Sequence, residues 1–441
     1  MYSTAALAAL AAGLAGQSLA SPVPIVVHPG NANDIIITSQ DTLNGTLIGG
    51  TTDQVNGAAI INANAQLGLA FENNYGGASV NVYVTGEDTN GDVVFVTSNG
   101  QFYYPPSTTS TTPVPITDDV SIPLGGQGTT SSVTLPDYLS SGRIWVAAGD
   151  LQFFVVDAGG ATGLVEPSAV SPTDPSAGIN WGFVELTNND AGIYADISYV
   201  DFLGMPLGIS LQSTDGTQAA QGVAADAISG VCSALQAQAA VDGAPWDELC
   251  VTDSAGSLIR VIAPIDYLSL DSTAFGDYWT SYVSQVWDYY TTNTLSIDTQ
   301  AAAGTVACTV VSGTLTCDGD NRGYAQPDAT DIFGCNSGPF AIEASDNDVH
   351  RAVVPRLCAA FDRSTLLVSG GNVQPSLPST DYYTVTPTNY FSKFVHQFEL
   401  DGLGYAFSYD DVAPTGDSGV AGLVSDANPQ VLTVIIGGPA S

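Results

Sequence analysis

The sequence predicts a mainly β protein, a β-sandwich or barrel into which a mixed α/β unit is inserted. Three observations predict it. Short β-branched or alternating runs separated by Gly, Asn, Asp and Pro fill residues 23–165 and return after 365. Helical periodicity is confined to the middle of the chain. All six cysteines, at 232, 250, 308, 317, 335 and 358, lie in that same middle part.

Along the first part, Ile35–Thr38, Leu67–Phe71, Val80–Val84 and Val93–Val96 read as strands, with Asn90-Gly91 and Asn99-Gly100 as hairpin-type turns on either side of the fourth. Thr108–Thr117 is a Ser/Thr/Pro loop, followed by strands at Ser132–Leu135, Ile144–Val146 and Phe153–Val156. Many short strands without helical period suit a sandwich or barrel. In the middle, Val223, Ala227, Val231 and Leu235 recur every four residues and predict a helix within 217–240. Phe275, Trp279, Tyr282, Val283, Val286, Trp287 and Tyr290 form a second amphipathic stripe. A row of aromatics at this spacing is read as core rather than as a platform for a ligand. A weaker helix runs through Val353–Phe361, with Pro355 near its start. Strands are then expected at Leu366–Val368, Thr384-Val385, Tyr405–Phe407 and Val431–Ile436, the last apolar enough for a central position. The expected division is 1–20 a leader, 21–211 and 366–441 the discontinuous β body, and 212–365 the inserted unit.

The leader rests on Ala5–Ala20, an uncharged Ala/Leu/Gly run ending in Ser18-Leu19-Ala20, the pattern of a secretory signal. With export, six cysteines imply three disulfides. Fifteen pairings are open, and pairing of neighbours along the chain is the expectation. No Cys-x2-Cys pair occurs and the three histidines are scattered, so no metal or other cofactor is expected. Asn44-Gly45-Thr46 is an N-glycosylation sequon.

Seven Lys and Arg stand against 44 Asp and Glu, for a formal charge of −37. Nucleic acid and anionic lipid need clustered cations, so neither is an expected partner, whereas a neutral polymer is not repelled. No long apolar span follows the leader, and a soluble, extracellular monomer is expected.

The densest set of polar groups on apolar strands is Trp181-Gly-Phe-Val-Glu185-Leu-Thr187-Asn-Asn189-Asp190 and Ile193-Tyr194-Ala-Asp196-Ile-Ser-Tyr-Val-Asp201-Phe202. Acidic residues are depleted in strand interiors, so these lie on a solvent face or in a site. Hydrolysis of a glycosidic bond needs two carboxyl groups, one to protonate the leaving oxygen and one to activate water or attack the sugar. A Glu flanked by apolar groups can be kept protonated as the acid, while a more solvated Asp stays ionised. Glu185 with Asp201 satisfies this, and so does Glu185 with Asp196. If Asn188–Gly192 is a tight turn, Glu185 faces about Ala195, and Asp201 lies roughly 20 Å further on at about 3.3 Å per residue. Spacing alone therefore leans toward Asp196.

These residues carry a resemblance. Gly142-Arg143-Ile144-Trp145, Gly163–Ser168, Asp174-Pro175-Ser176 and Asn180–Thr187 resemble glycoside hydrolase family 64, as do Ala195–Phe202, Pro206-Leu207-Gly208, Arg260-Val261 and Phe333-Gly334-Cys335. Leu357–Ala360, Tyr390–Glu399, Asp401-Gly402 and Tyr405–Val412 continue it, so that the ordered set spans about 27 to 438. The resemblance implies a thaumatin-like β-barrel with a mixed α/β domain and an open groove between them. It implies inverting hydrolysis of β-1,3-glucan without a metal, with Glu185 as general acid and Asp201 as general base. Thr187 and Asn189 match positions that hydrogen-bond sugar, and Tyr194 stands where the family has a stacking aromatic, often Trp. It also implies that the Asn188–Asp196 connection is not a tight turn. The alternative is a non-catalytic thaumatin-like glucan binder or defence protein. A structural wall protein would show Ser/Thr-rich repeats or a lipid-anchor tail, and neither is read here.

Overall fold

A computed structural model describes residues 24–35 and 66–439. The leader, the strand expected at 36–38 and the sequon at Asn44 lie outside these residues; Ile35 is described and belongs to no strand.

The chain is mainly β, with several sheets and few helices. The largest sheet has eight strands, seven of them in the order β7–β6–β5–β4–β1–β2–β3. These are β1 (Asn81–Glu87), β2 (Val93–Val96), β3 (Phe102–Tyr103), β4 (Leu139–Ala147), β5 (Trp181–Asn189), β6 (Gly192–Ile197) and β7 (Val424–Asp426). The short strand Ile122–Pro123 pairs with β1 beside them. Gly91 and Gly100 take positive φ in the turns that flank β2, as their Asn-Gly sequences require.

A second sheet has five strands. Pro429–Ile436 runs through its middle, antiparallel to Leu207–Ser213 and parallel to Gly68–Asn73. The unbroken apolar run near the end of the sequence is thus a central strand, as its composition predicts. A four-stranded sheet joins Ile25–Val26, Cys250–Thr252, Leu258–Ile262 and Phe202–Leu203.

Among the described residues six α-helices lie in the middle and late chain: α1 (Ala227–Asp242), α2 (Pro264–Leu270), α3 (Thr280–Tyr289), α4 (Ala329–Gly334), α5 (Asp348–Asp362) and α6 (Tyr390–Phe398). The stripe from Phe275 to Tyr290 is core throughout, with Trp279 and Tyr290 essentially sealed from solvent. The first helix starts ten residues later than its period suggested. Thr217–Ala220 is a strand on Ile209–Gln212, and the chain then turns at Gly222, whose backbone passes so close to Leu207 that a side chain has no room. Apolar spacing of four cannot separate a strand and a turn from a helix that follows them in phase.

The third helix starts earlier than expected, at Asp348, because Asn347 caps it through His350 N. Pro355 therefore sits inside the helix rather than near its start. Leu366–Val368 and Thr384-Val385 are turns and bends instead of strands, and Tyr405–Phe407 contributes a single bridge, to Ser198. Leu366 is buried in a turn whose carbonyl accepts the Tyr290 hydroxyl. Three apolar residues report burial, not backbone form.

The cysteines pair as neighbours, Cys232–Cys250, Cys308–Cys317 and Cys335–Cys358. Cys335, Cys358 and Asp362 cluster, but the disulfide removes both thiolates as metal ligands. Among the described residues no helix is long and apolar enough to cross a membrane.

Candidate active site

β5 and β6 form a hairpin closed by a two-residue turn, Asp190-Ala191. The expectation of a longer connection is overturned. Asn189 Oδ1 accepts the Ala191 N–H at 2.9 Å, and Gly192, at φ 122°, packs so tightly on β7 that a Cβ would sit 2.1 Å from Asp426 O. The resulting register pairs Thr187 with Tyr194 and Glu185 with Asp196. On the other side of β5, Glu185 pairs with Arg143 of β4. Directly paired residues share a face of the sheet, so Asp196, Glu185 and Arg143 form one row.

This row, with Ser141, Gly142, Leu186, Thr187 and Tyr194, lines an open cleft of about 260 Å³. Tyr194 offers an exposed ring at its edge. Asn189, two residues beyond Thr187 on the same face, is tied into the hairpin turn and stands outside this lining.

Asp201 arrives by a different route. After Ile197 the chain leaves the hairpin: Ser198 bridges to Tyr405, Tyr199 N donates to Tyr405 O, and Ala263 N donates to Asp201 O. Phe202 then joins the four-stranded sheet and stacks edge-on against Trp181 at 4.4 Å and beside Phe183 at 5.9 Å. The segment thus ends beside the start of β5, at Trp181 and Phe183. Asp201 lines a narrow hollow of about 20 Å³ with Arg143, Phe183, Phe202 and the buried Asp266. Arg143 lines both hollow and cleft and stands between the two predicted carboxylates.

Arg143 is the group that reading the carboxylates alone passes over. Its Nη1 contacts Glu166 Oε2 at 2.8 Å and its Nε donates to Glu185 Oε1 at 3.2 Å. Its guanidinium lies 4.9 Å from the Phe183 ring centroid and 5.6 Å from that of Trp145. Glu166 is sealed from solvent and also accepts from Thr85 Oγ1. Burial pushes the Glu166 carboxyl up, and Arg143 pulls against it. Burial likewise opposes the charge of Arg143, but Glu166, Glu185 and Asp201 outweigh it and raise its pKa. Glu185 is thus held on one side by a cation, yet its side chain remains 40% exposed to the cleft. The signal in the sequence was there: Arg143 is the first cation of a chain that has seven.

Asp196 differs from its neighbour. Burial, then the charge of Glu185, then that of Asp411, push its pKa up to about 8. Asp411 itself accepts the Tyr405 hydroxyl at 2.8 Å.

A sheet floor carrying a row of acids around a single arginine, open to solvent beside an exposed tyrosine, defines a carbohydrate-hydrolase type of site. The chain belongs to glycoside hydrolase family 64, described as beta-1,3-glucanase, whose family model matches residues 65–436. A glucan endo-1,3-beta-glucosidase of Cellulosimicrobium cellulans is 28% identical over 309 residues, 68% of this chain and 52% of the relative. One from Arthrobacter sp. (strain YCWD3) matches to the same extent. The chain spans about half the length of the curated relatives it matches. A crystal structure of a laminaripentaose-producing beta-1,3-glucanase in complex with laminaritetraose superposes with a TM-score of 0.74 at 26% identity. The match covers 84% of this chain and 98% of that one. A glucanase domain from Clostridium beijerinckii shares the fold, at TM-score 0.65 and 22% identity, over 84% of this chain and 98% of that one.

Proposed function

We propose that the protein is a secreted, monomeric enzyme that hydrolyses β-1,3-glucan with inversion, Glu185 acting as general acid and Asp201 as general base. The observation that carries this reading is the separation of the carboxyls into two compartments on either side of Arg143. Glu185 faces the open cleft, where the glycosidic oxygen would lie. Asp201 faces a hollow whose 20 Å³ has room for about one water. An inverting site needs its two carboxyls about 6.5–9.5 Å apart, with a water between the base and the sugar.

The pair Glu185 and Asp196 is less suited. Its members are direct cross-strand neighbours, and Asp196 is pushed up to about 8, so below that pH it is neutral and can neither abstract a proton nor attack carbon. In the reaction, Glu185 gives its proton to the leaving oxygen as the C1–O bond breaks. Asp201 takes a proton from the water whose oxygen bonds to C1 from the opposite face. Arg143 keeps Glu185 aimed into the cleft. Thr187 and Tyr194 hold the sugar in the cleft, Tyr194 by stacking, and Asn189, beyond the cleft lining, meets it at an outer position through its amide N–H.

The β body is of thaumatin-like type, spanning 21–211 and 366–441, with 212–365 as the inserted unit and the groove between them; residues 1–20 are the export signal. The packing of α6 on α1 and the pairing of Ile25–Val26 with Val251-Thr252 tie the two parts together. Incubation with laminarin and chromatography of the products tests the activity, and proton NMR of the first-formed anomer tests inversion. Glu185→Gln is expected to lower kcat by at least about 10²-fold while the protein still binds insoluble β-1,3-glucan. Binding by the wild type without release of oligosaccharide sinks the enzyme reading.

A further inference from the structure

Asp196 has no part in the two-carboxylate scheme, yet the hairpin register sets it directly across from Glu185. Cross-strand partners have Cβ atoms about 4.5–5.5 Å apart, within reach of carboxyl-to-carboxyl hydrogen bonding. Two acids at that distance resist being ionised together, and one proton between them is the stable arrangement. The environment adds to this. Arg143, on β4, contacts Glu185 and not Asp196. From the segment after α6, Asp411 adds a further negative charge, with Tyr405 donating to it. On β6 itself Tyr194 shares the face of Asp196. On β7, Asp426 pairs with Ile193 and so belongs to the opposite face. The two charges that act on Asp196, those of Glu185 and Asp411, are both negative, which favours keeping it protonated.

An inverting cycle drains one proton from its acid at every turnover. We propose that Asp196 is a positioning residue that shares one exchangeable proton with Glu185 and hands it to that carboxyl for each cleavage. This rests on the hydrolase reading above. The balance is closed. Between turnovers the single proton rests on Asp196. Asp196–COOH passes it to Glu185 and becomes a carboxylate, and Glu185–COOH gives it to the leaving oxygen and becomes a carboxylate in turn. Asp196 then regains a proton from solvent, matching the one that Asp201 took from the attacking water and releases.

The test is the pH profile of kcat on laminarin, from about pH 3 to pH 9, for wild type, Asp196→Asn, Asp196→Ser and Asp196→Glu, each checked for native fold by near-UV circular dichroism. With the shared proton gone, the Asn and Ser variants are expected to lose activity on the alkaline side about one pH unit or more earlier than wild type, while staying within about threefold of it in acid. Asp196→Glu restores the wild-type limb. Either of the first two variants is sufficient if the other does not fold. An alkaline limb that coincides in wild type and a folded Asn or Ser variant overturns the proposal, as does a uniform loss of rate at every pH. A wild-type protein that releases nothing from laminarin refutes the underlying activity instead, and the proton partnership with it.

Discussion

At the residue scale, Arg143 governs the site because it is a largely enclosed cation, its side chain 20% exposed, with two carboxylate contacts, one structural and one facing the cleft. Arg143→Met leaves Glu166 in the interior without its counter-charge. The expected cost is about 3–5 kcal/mol of stability, measured by denaturant unfolding, together with loss of hydrolysis as Glu185 is released. Tyr194 contributes a half-exposed ring and little packing. Tyr194→Ala should leave the melting temperature unchanged and raise KM roughly three- to tenfold, the equivalent of about 0.5–1.5 kcal/mol of ring contact. Asp196 has a stability consequence too. Its folded pKa lies above the unfolded value, so the folded state binds more protons between about pH 4 and 8, and the stability this group supplies in acid is lost as pH rises through that window. Melting curves of Asp196→Asn should therefore fall less between pH 4.5 and pH 8.5 than those of wild type.

At the element scale, the β5–β6 hairpin fixes the row of acids, and its two-residue turn is what sets the register. Gly192 is the weak point. A methyl there meets Asp426 O, and the backbone conformation is one that L residues avoid. Gly192→Ala is expected to cost at least about 1–3 kcal/mol and to impair catalysis along with it. Farther from the cleft, α6 is anchored by a buried charge network. His396 lies 2.8 Å from Glu399 and 2.9 Å from Asp410, which in turn meets Arg363 of the segment after α5. Burial opposes the charge on His396, but Asp410 and Glu399 hold it protonated up to about 10. A raised histidine pKa gives stability that is complete below about 6.5 and lost as pH passes 10. His396→Gln should thus cost about 3–5 kcal/mol in acid and at neutrality, and less above pH 10.

At the scale of the whole molecule, all seven cations are tied to the protein's own oxygens, two of them buried and five partly exposed. Arg143, Arg322 and Arg363 pair with carboxylates; Arg260, Arg351, Arg356 and Lys393 donate to backbone carbonyls. Arg260 is fully buried against Ala169, Ala177 and Ile179 O, which fastens the segment leading into β5. With seven cations against 44 acids the surface is strongly negative, so self-repulsion is large at neutral pH. Raising ionic strength from about 0.01 to 0.5 M shortens the screening length from about 30 Å to under 10 Å, and the melting temperature at pH 7 is expected to rise accordingly.

Much of this was legible in sequence wherever a local rule sufficed. Strands of alternating pattern, Asn-Gly turns, the aromatic core stripe, the central closing strand and an even set of cysteines each follow from neighbours along the chain. So did the cluster around Glu185, because acids embedded in apolar strands stand out. Helix limits at 217–240, the position of Pro355 and the strands expected at 366–368 and 384–385 were not legible, since apolar spacing reports which side chains are buried and not how the backbone buries them. The approach of Asp201 to Arg143 was beyond local arithmetic altogether. Counting along an extended hairpin sends it roughly 20 Å away, whereas the stacking of Phe202 on Trp181 and its pairing to a strand sixty residues later place Asp201 in a hollow shared with Arg143. The raised pKa of Asp196 was equally out of reach, because it depends on burial and on facing Glu185 and Asp411 at once. Residue type and period set the elements and the chemical inventory; which carboxyls meet, and in what charge state, was decided by contacts between distant parts of the chain.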